Sequence, residues 1–304
     1  MIERVTFIGS KEIGLRALQT MFEIAPRSVC QIITFDDSSD KRSRFREFEQ
    51  FAAAHEIPFD VPRRPSQLDE LLQRSRPDLC VVVGWYWILK PETLALAPAG
   101  FVGAHASKLP SYRGGAPLVW SVIKGEREGG ITLFYFDEEM DNGDIIAQHR
   151  FQIEPLETIS DLLVKAEAGL SVLLRENYPL LLKGTAPRLP QDKSLATYCA
   201  QRRPEDGRID WKLASSQVHD FIRAQTHPYP GAYTILGGGQ KIHIWKSEPF
   251  PHGYLGPPGR VVQQADDHVV VTCGEGAVKI FQVEVNDWGA VPAPEMLQVG
   301  AQLA

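Results

Sequence analysis

The chain reads as an α/β protein: an open, mostly parallel twisted sheet, followed by a smaller all-β region. Three observations carry this reading. The early apolar runs VTFIG (5–9), VCQIITF (29–35) and DLCVVVG (78–84) have no polar face, as expected of strands covered by helices on both sides. The segments between them show helical spacing of apolar residues. After Lys183 the texture changes, and short strand-like runs separated by glycine turns take over, the pattern of a small β-barrel or sandwich. The expected organisation is a first domain over 1–183, a linker over 184–206 and a second domain over 207–304.

In order, the strand Val5–Gly9 leads into a helix over Lys11–Glu23, with Ile13, Leu15, Leu18 and Met21 on one face. Val29–Phe35 is the next strand. A helix over Asp40–His55 presents Phe45, Phe48, Phe51 and Ala52 together. A short strand near Pro58–Val61, a helix over Ser66–Gln73 and the strand Asp78–Gly84 follow. Phe101–Ala104, Ile131–Phe136 and Ile145–Ile153 add strands, and Ile159–Leu182 makes a long helix. The stretch 184–206 is rich in proline and polar residues and has no period, hence the linker. Beyond it a helix over Ser215–Gln225, started at Ala214-Ser215, precedes strands at 232–236, 241–246, 260–263, 268–272 and 278–285. Glycine turns at 237–239 and 274–276 separate them.

At 304 residues the chain can hold one large core or two smaller ones. Its 43% hydrophobic and 23% charged residues suit a soluble globular protein, and a net charge of −6 argues against a platform for nucleic acid or anionic membrane. The N-terminus MIERVTFIGS enters a strand without a basic segment and apolar core before it, and no apolar run has the length of a membrane span, so a cytoplasmic protein is expected. Cys30, Cys80, Cys199 and Cys273 are far apart and read as reduced thiols.

Common chemical motifs are missing. Gly9-Ser10-Lys11-Glu12-Ile13-Gly14 is neither a dinucleotide fingerprint nor a P-loop, although its backbone N–H groups open a helix and could meet an anion. There is no nucleophile elbow, and no histidine pair has metal-ligand spacing, so no metal is expected. His227, in Thr226-His227-Pro228-Tyr229-Pro230-Gly231, reads as part of a structural turn. The basic cluster Lys41–Arg46 reads as a solvated helix face.

Two residues stand out. His105 leaves the end of an apolar strand into a loop of small residues, and Asp141 leaves the end of another. Ligands of open α/β sheets bind at the carboxyl ends of the strands. A carboxylate beside an imidazole orients the ring and favours its charged form, which suits general acid–base work on a nitrogen.

The segment His105-Ala106-Ser107-Lys108-Leu109-Pro110-Ser111-Tyr112-Arg113-Gly114-Gly115-Ala116-Pro117 resembles the signature loop of the 10-formyltetrahydrofolate-dependent formyltransferases. Asp141-Asn142-Gly143-Asp144-Ile145-Ile146-Ala147-Gln148 resembles their aspartate loop, and Gly84-Trp85-Tyr86-Trp87-Ile88-Leu89-Lys90-Pro91 their folate-pocket segment. Ile209-Asp210-Trp211, Arg223–Ala232 and Lys241–Trp245 resemble the family's C-terminal barrel domain. The resemblance implies a Rossmann-like catalytic domain and an OB-like second domain. It implies 10-formyltetrahydrofolate as co-substrate, without a metal. It implies that His105 and Asp141 catalyse, that Trp85, Tyr86, Trp87, Ile88, Leu89, Glu138, Glu139 and Met140 hold the folate, and that Ser10, Ser107, Tyr112 and Arg113 meet the substrate.

One residue departs from the family pattern. The family's asparagine two residues before the histidine stabilises the oxygen of the tetrahedral intermediate, and here Gly103 stands in that place. Losing one such donor costs about 10²–10³ in rate. Another donor or a water replaces it, the nucleophile is unusually reactive, or turnover is weak. Asn142 is the nearest amide in sequence.

The acceptor is a matter of branch. The second domain sets this chain apart from the single-domain purine branch. The initiator-tRNA branch carries a basic insertion where this chain has Asp36-Asp37-Ser38-Ser39-Asp40, and from Gly207 onward seven Lys/Arg face nine Asp/Glu. Gly115–Trp120 and Gly125-Glu126 resemble the formyltransferase domain that acts on a nucleotide-linked 4-amino sugar. A small nucleotide-linked amino sugar is therefore the expected acceptor; Arg113 either pairs a phosphate or ties the loop to its own carboxylates. Neither nucleic acid nor membrane is an expected partner, and a homodimer is compatible with the reading. Initiator tRNA and a folate-binding member with altered catalysis are the alternatives.

Overall fold

The computed structural model describes residues 1–285 and 289–304. The chain divides into two compact units. The first comprises Met1–Gly114, Gly129–Phe151 and Val164–Cys199; the second comprises Gly115–Glu128, Gln152–Leu163 and Ala200–Ala304.

The elements run β1 (Val5–Gly9), α1 (Lys11–Ile24), β2 (Val29–Ile33), α2 (Phe45–Ala54), β3 (Phe59–Asp60), α3 (Pro65–Ser75), β4 (Leu79–Val83), α4 (Pro91–Leu94), β5 (Phe101–His105), β6 (Arg113–Gly114), α5 (Pro117–Ile123), β7 (Glu128–Tyr135), β8 (Ile145–Gln152), α6 (Ile159–Lys183) and β9 (Tyr198–Cys199). The sheet of the first unit has the order β3-β2-β1-β4-β5-β7-β8. Its pairs from β3 to β5 are parallel and β5 meets β7 antiparallel. The early strands were expected to be apolar on both faces, and every residue of β1 and β4 is buried. The helix expected from Asp40 starts only at Phe45. Asp40 instead accepts from Arg42 at 2.9 Å (backbone) and 2.8 Å (Nη2), and from Lys11 Nζ at 2.8 Å, which holds 40–43 in a charged turn.

The order places a topological switch point at β1 and β4, which follow each other in the sheet although β2 and β3 intervene in sequence. Residues 184–206, expected to be a linker, are built into the first unit as far as Cys199. Leu189 exchanges backbone hydrogen bonds with Ile145, and β9 pairs in parallel with β6.

The second unit adds α7 (Ser215–Arg223), β10 (Ala232–Leu236), β11 (Gln240–Pro249), β12 (Val261–Gln264), β13 (Val269–Thr272), β14 (Ala277–Val285), β15 (Ala290–Pro292) and α8 (Ala293–Met296). Its sheet is antiparallel in the order β10-β11-β14-β13-β12, with β15 on β14. The tail closes this sheet: Ile235 and Ala304 exchange hydrogen bonds at 2.9 Å, Leu303 N–H donates to Gly259 at 2.8 Å, and Val261 N–H donates to Ala301 at 2.9 Å. Residues 301–304 thereby bridge β10 to the start of β12, which covers those two strand ends. The core beneath gathers Ile209, Trp211, Val218, Ile222, Ile242 and Val283. His227 stacks on Trp245 with ring centroids 3.8 Å apart, in keeping with its reading as a structural turn.

Cys80 and Cys273 are buried, Cys30 and Cys199 are half-buried, and all four are free thiols. Among the described residues no helix is long and apolar enough to cross a membrane.

Candidate active site

His105 is the last residue of β5, so strand alternation fixes its side chain on the face shared by Phe101 and Gly103. The following loop is tied down along its length. Ser107 Oγ donates to the Ser111 carbonyl at 2.7 Å, and Gln148 Nε2 donates to the Leu109 carbonyl at 2.7 Å. Thr132 Oγ1 donates to the Ser107 carbonyl at 2.7 Å. The loop then turns back over the histidine, with Tyr112 at a positive φ of 61°. Tyr112 presents its carbonyl oxygen to His105 Nε2 at 2.7 Å. A carbonyl only accepts, so Nε2 carries the hydrogen and Nδ1 of the neutral ring carries the lone pair.

Asp141 comes from the loop between β7 and β8. Its Oδ2 lies 3.5 Å from His105 Nδ1 and accepts the Gly114 N–H at 2.7 Å. The aspartate itself sits in the left-handed region, at φ 51°. Gly143 is dictated by space: a Cβ there would stand 1.9 Å from the Tyr135 carbonyl oxygen. The geometry therefore brings together the two residues that sequence singled out, His105 from the end of β5 and Asp141 from the loop that follows the antiparallel β7.

A third element holds them, and sequence reasoning missed it. Gln191, in the stretch read as a linker, donates through Nε2 to the carbonyls of Asp141 (2.9 Å) and Gly143 (2.8 Å). Its Oε1 accepts from Arg113 Nη2 at 2.7 Å and Nε at 3.2 Å. Thr197 likewise receives the Tyr112 N–H on its hydroxyl and the Arg113 N–H on its carbonyl, both at 2.8 Å. Neither residue carries a local signal, because each lies in an aperiodic proline-bounded segment.

Several expected substrate contacts turn inward. Arg113 is only 1% exposed and spends its guanidinium on Gln191 and on the Tyr198 hydroxyl at 3.3 Å, so it ties loops together in place of a phosphate contact. Ser107 is 2% exposed with its hydroxyl on Ser111, and Ser10 is 1% exposed with its hydroxyl on the Gly84 carbonyl at 2.5 Å. Both are loop fasteners at the switch point and the signature loop. Tyr112 contributes its main chain to the site. Asn142, the amide nominated for the missing donor, gives its Nδ2 to Asp137 at 2.6 Å.

The expected folate segments behave differently from one another. Trp85 stacks on Phe35 at 3.7 Å and meets Trp87 edge-on at 5.3 Å. Leu89 packs against the core beside Phe136, whereas Ile88 is 89% exposed and Tyr86 is 61% exposed. On the other loop Glu138 and Glu139 are exposed, Glu139 pairs with Lys193 at 3.3 Å, and Met140 is 59% exposed. Trp85 Nε1 and Asn142 Oδ1 are buried without a partner among the described residues. Each lies in one of the two loops, and such orphaned polar atoms ask for a ligand.

Beside these loops Lys11 Nζ is held by Asp37 at 2.5 Å and Asp40 at 2.8 Å. Burial works against its charge, but the two carboxylates outweigh it and hold the ammonium pKa above its usual value. Asp40 is held well below the usual carboxylate range, first by Arg42 and then by Lys11, against the opposing effect of burial. Asp37 and Asp40 of the acidic loop are thus paired with Lys11 and Arg42, and Arg44 is spent on Glu12 at 2.6 Å. Among the described residues no group of three or more His, Cys, Asp or Glu side chains is placed to hold a metal ion.

The comparisons with known proteins agree with this architecture. The formyl transferase pattern matches residues 23–172, and the C-terminal domain of formyl transferases matches residues 202–299. A methionyl-tRNA formyltransferase from Desulforamulus reducens is 30% identical over 307 aligned positions, covering 99% of this chain and 96% of that protein. This chain belongs to the formyl transferase family. Two solved structures share the fold at lower identity. The sugar 3N-formyl transferase WlaRD, solved in the presence of dTDP and 5-N-formyl-THF, has a TM-score of 0.68 at 19% identity, covering 94% of this chain and 99% of its own. An N-formyltransferase from Helicobacter canadensis, in complex with folinic acid and dTDP-3-aminofucose, has a TM-score of 0.70 at 18% identity, covering 92% and 99%. Formyl transfer is the reaction that the family membership assigns to this chain; its acceptor is a separate matter.

Proposed function

We propose that this formyltransferase moves the formyl group of 10-formyltetrahydrofolate onto the amine of a small acceptor, a nucleotide-linked amino sugar. The observation that carries the reading is the His105–Asp141 pair, with Nε2 spent on Tyr112 and Nδ1 presented 3.5 Å from the carboxylate.

10-Formyltetrahydrofolate supplies the one-carbon group as an activated amide. The chain's part is acid–base. His105 Nδ1 accepts the proton that the acceptor amine sheds as its nitrogen bonds to the formyl carbon. Asp141 balances the imidazolium through its negative charge, and the ring gives the proton back to the nitrogen that leaves. One C–N bond forms, one breaks, and no electron changes hands. Gly114 N–H and Gln191 keep the carboxylate in place by fixing one of its oxygens and its own carbonyl.

The residues present fit a folate. Ile88 and Met140 expose apolar surface from two loops, Tyr86 adds an aromatic face, and Trp85 Nε1 and Asn142 Oδ1 lack partners. Trp85–Leu89 on one side and Glu138–Met140 on the other would hold it. A tightly packed aromatic group gives a direct readout, because binding beside Trp85 and Trp87 changes their fluorescence.

Two features support a small acceptor. Arg42 and Arg44 of the loop that follows β2 are spent on Asp40 and Glu12, and the sequence from Gly207 on has more acid than base. Polyanion binding needs the opposite. The relative from Desulforamulus reducens favours a second reading, in which initiator methionyl-tRNA is the acceptor. A competition assay separates them. Formyl transfer from 10-formyltetrahydrofolate is followed in a mixture of dTDP- and UDP-amino sugars with charged initiator tRNA. Formamide on a sugar is expected; formylation of the tRNA alone would reject the small-acceptor reading.

A further inference from the structure

The space beside His105 that would hold a side chain at residue 103 is already filled. Gly103 lies on β5, two residues before the histidine and on the same face. A Cβ on Gly103 would stand 2.2 Å from Phe136 Cε1, 2.5 Å from its Cζ and 2.8 Å from the Val82 carbonyl oxygen. Atoms do not approach so closely, so any side chain there must evict the ring and also push back the Val82 carbonyl of the neighbouring strand. The ring is not loose. Phe136 N–H donates to the Phe101 carbonyl at 2.8 Å, its ring lies 5.1 Å from that of Phe134, and it packs into the cluster holding Val82, Trp85, Leu89 and Phe101.

We infer that Phe136 is the specificity-determining partner of Gly103: its ring takes the volume of the absent side chain, lines that side of the site with carbon, and allows the two positions to change only as a pair. This rests on the formyl-transfer reading above and deepens it. Two consequences follow from the geometry. A water cannot substitute for the amide in that volume, because ring carbons occupy it. What faces the space is ring carbon, which offers far less to a developing oxyanion than an N–H donor. The acceptor must therefore be one whose attack on the formyl carbon proceeds without a donor at residue 103. Nor does an amide at that position improve the site while Phe136 keeps its place.

A double-substitution cycle tests this, with melting temperature and formyl-transfer rate as separate readouts. Gly103→Asn alone should lower the melting temperature and bring no gain in rate. Phe136→Ala should fold, and adding Gly103→Asn to it should cost much less in melting temperature than it does in the native background. The doubly substituted protein should transfer formyl about 10²-fold faster than Phe136→Ala alone, the lower end of what one such donor is worth. Additive melting-temperature losses, or a faster and equally stable Gly103→Asn protein, would overturn the inference. The melting temperatures decide the packing claim even where no variant turns over any acceptor; in that case the formyl-transfer reading fails, and with it the claim of specificity.

Discussion

At the scale of residues, the site depends on one imidazole whose two nitrogens have different fates. Nε2–H is bound to the Tyr112 carbonyl, which leaves the Nδ1 lone pair beside Asp141 as the base of the proposed transfer. Replacing His105 by Ala should lower the rate of formyl transfer by about 10²–10⁴-fold with little change in folate affinity, measured by single-turnover kinetics and fluorescence titration. Gln191 is a positioning residue and calls for a finer test. Gln191→Leu strips Arg113 of its main partner and should cost about 1–3 kcal/mol in stability. Gln191→Glu still offers Arg113 an acceptor but can no longer donate to the Asp141 and Gly143 carbonyls. Its melting temperature should stay near the native value while kcat falls and KM for folate holds. An equal loss of stability in both variants would reduce Gln191 to a packing residue. The pairing of His105 with Asp141 was legible in sequence because each opens or lies in a glycine-bearing loop that follows an apolar strand. Gln191 and Thr197 were not, because long-range hydrogen bonds leave no periodic mark on an irregular segment. Arg113 was left open between an anion contact and a loop tie for a related reason: a loop arginine that meets an anion and one that binds a glutamine look alike in one dimension.

At the scale of elements, α7 carries a buried polar pair that sets a pH limit on the second unit. His219 Nε2–H donates to the Pro155 carbonyl at 3.0 Å, and Nδ1 accepts from Ser247 Oγ at 3.1 Å. Desolvation lowers its pKa and nearby Arg223 adds to this, against smaller raising effects of the Pro155 bond and of Asp220 and Glu248. The sign follows. The ring is neutral in the folded unit at a pH where the unfolded chain, titrating near the ordinary value of about 6.5, already binds a proton. Stability is therefore full above about pH 6.5 and falls as the pH drops through the depressed folded value. A melting-temperature series from pH 8 to pH 5 should show the fall, and His219→Gln should flatten it. A series unchanged by that substitution would assign the acid sensitivity to other groups. Here too sequence gave part of the picture. The strands of the second unit were visible through their glycine turns, within a residue or two at most ends. The late start of α2 was not, because the ion cluster of Asp40 with Lys11 and Arg42 overrides the helical spacing of the phenylalanines.

At the scale of the whole molecule, the candidate catalytic residues and the residues that hold them all belong to the first compact unit, and the second unit is stabilised separately by its closed sheet. Leu303 is 1% exposed and lies in the tail that bridges β10 to β12. Leu303→Ala should cost about 2–5 kcal/mol, read by denaturant unfolding, since it empties a core position and loosens the closure. The ring closure could not be read from composition, because the closing segment is too short to register as a strand. The alternation of elements did report the doubly covered sheet, and with it the end of the sheet where chemistry sits. The central claim is that His105 and Asp141 drive folate-dependent formylation of a small amine. Its most direct test is a mass measurement on dTDP- and UDP-amino sugars incubated with 10-formyltetrahydrofolate and either the native protein or His105→Ala. The account expects one sugar to gain a formyl group with the native protein and far more slowly with the variant. No formylated sugar with the native protein, although folate binds, would contradict it.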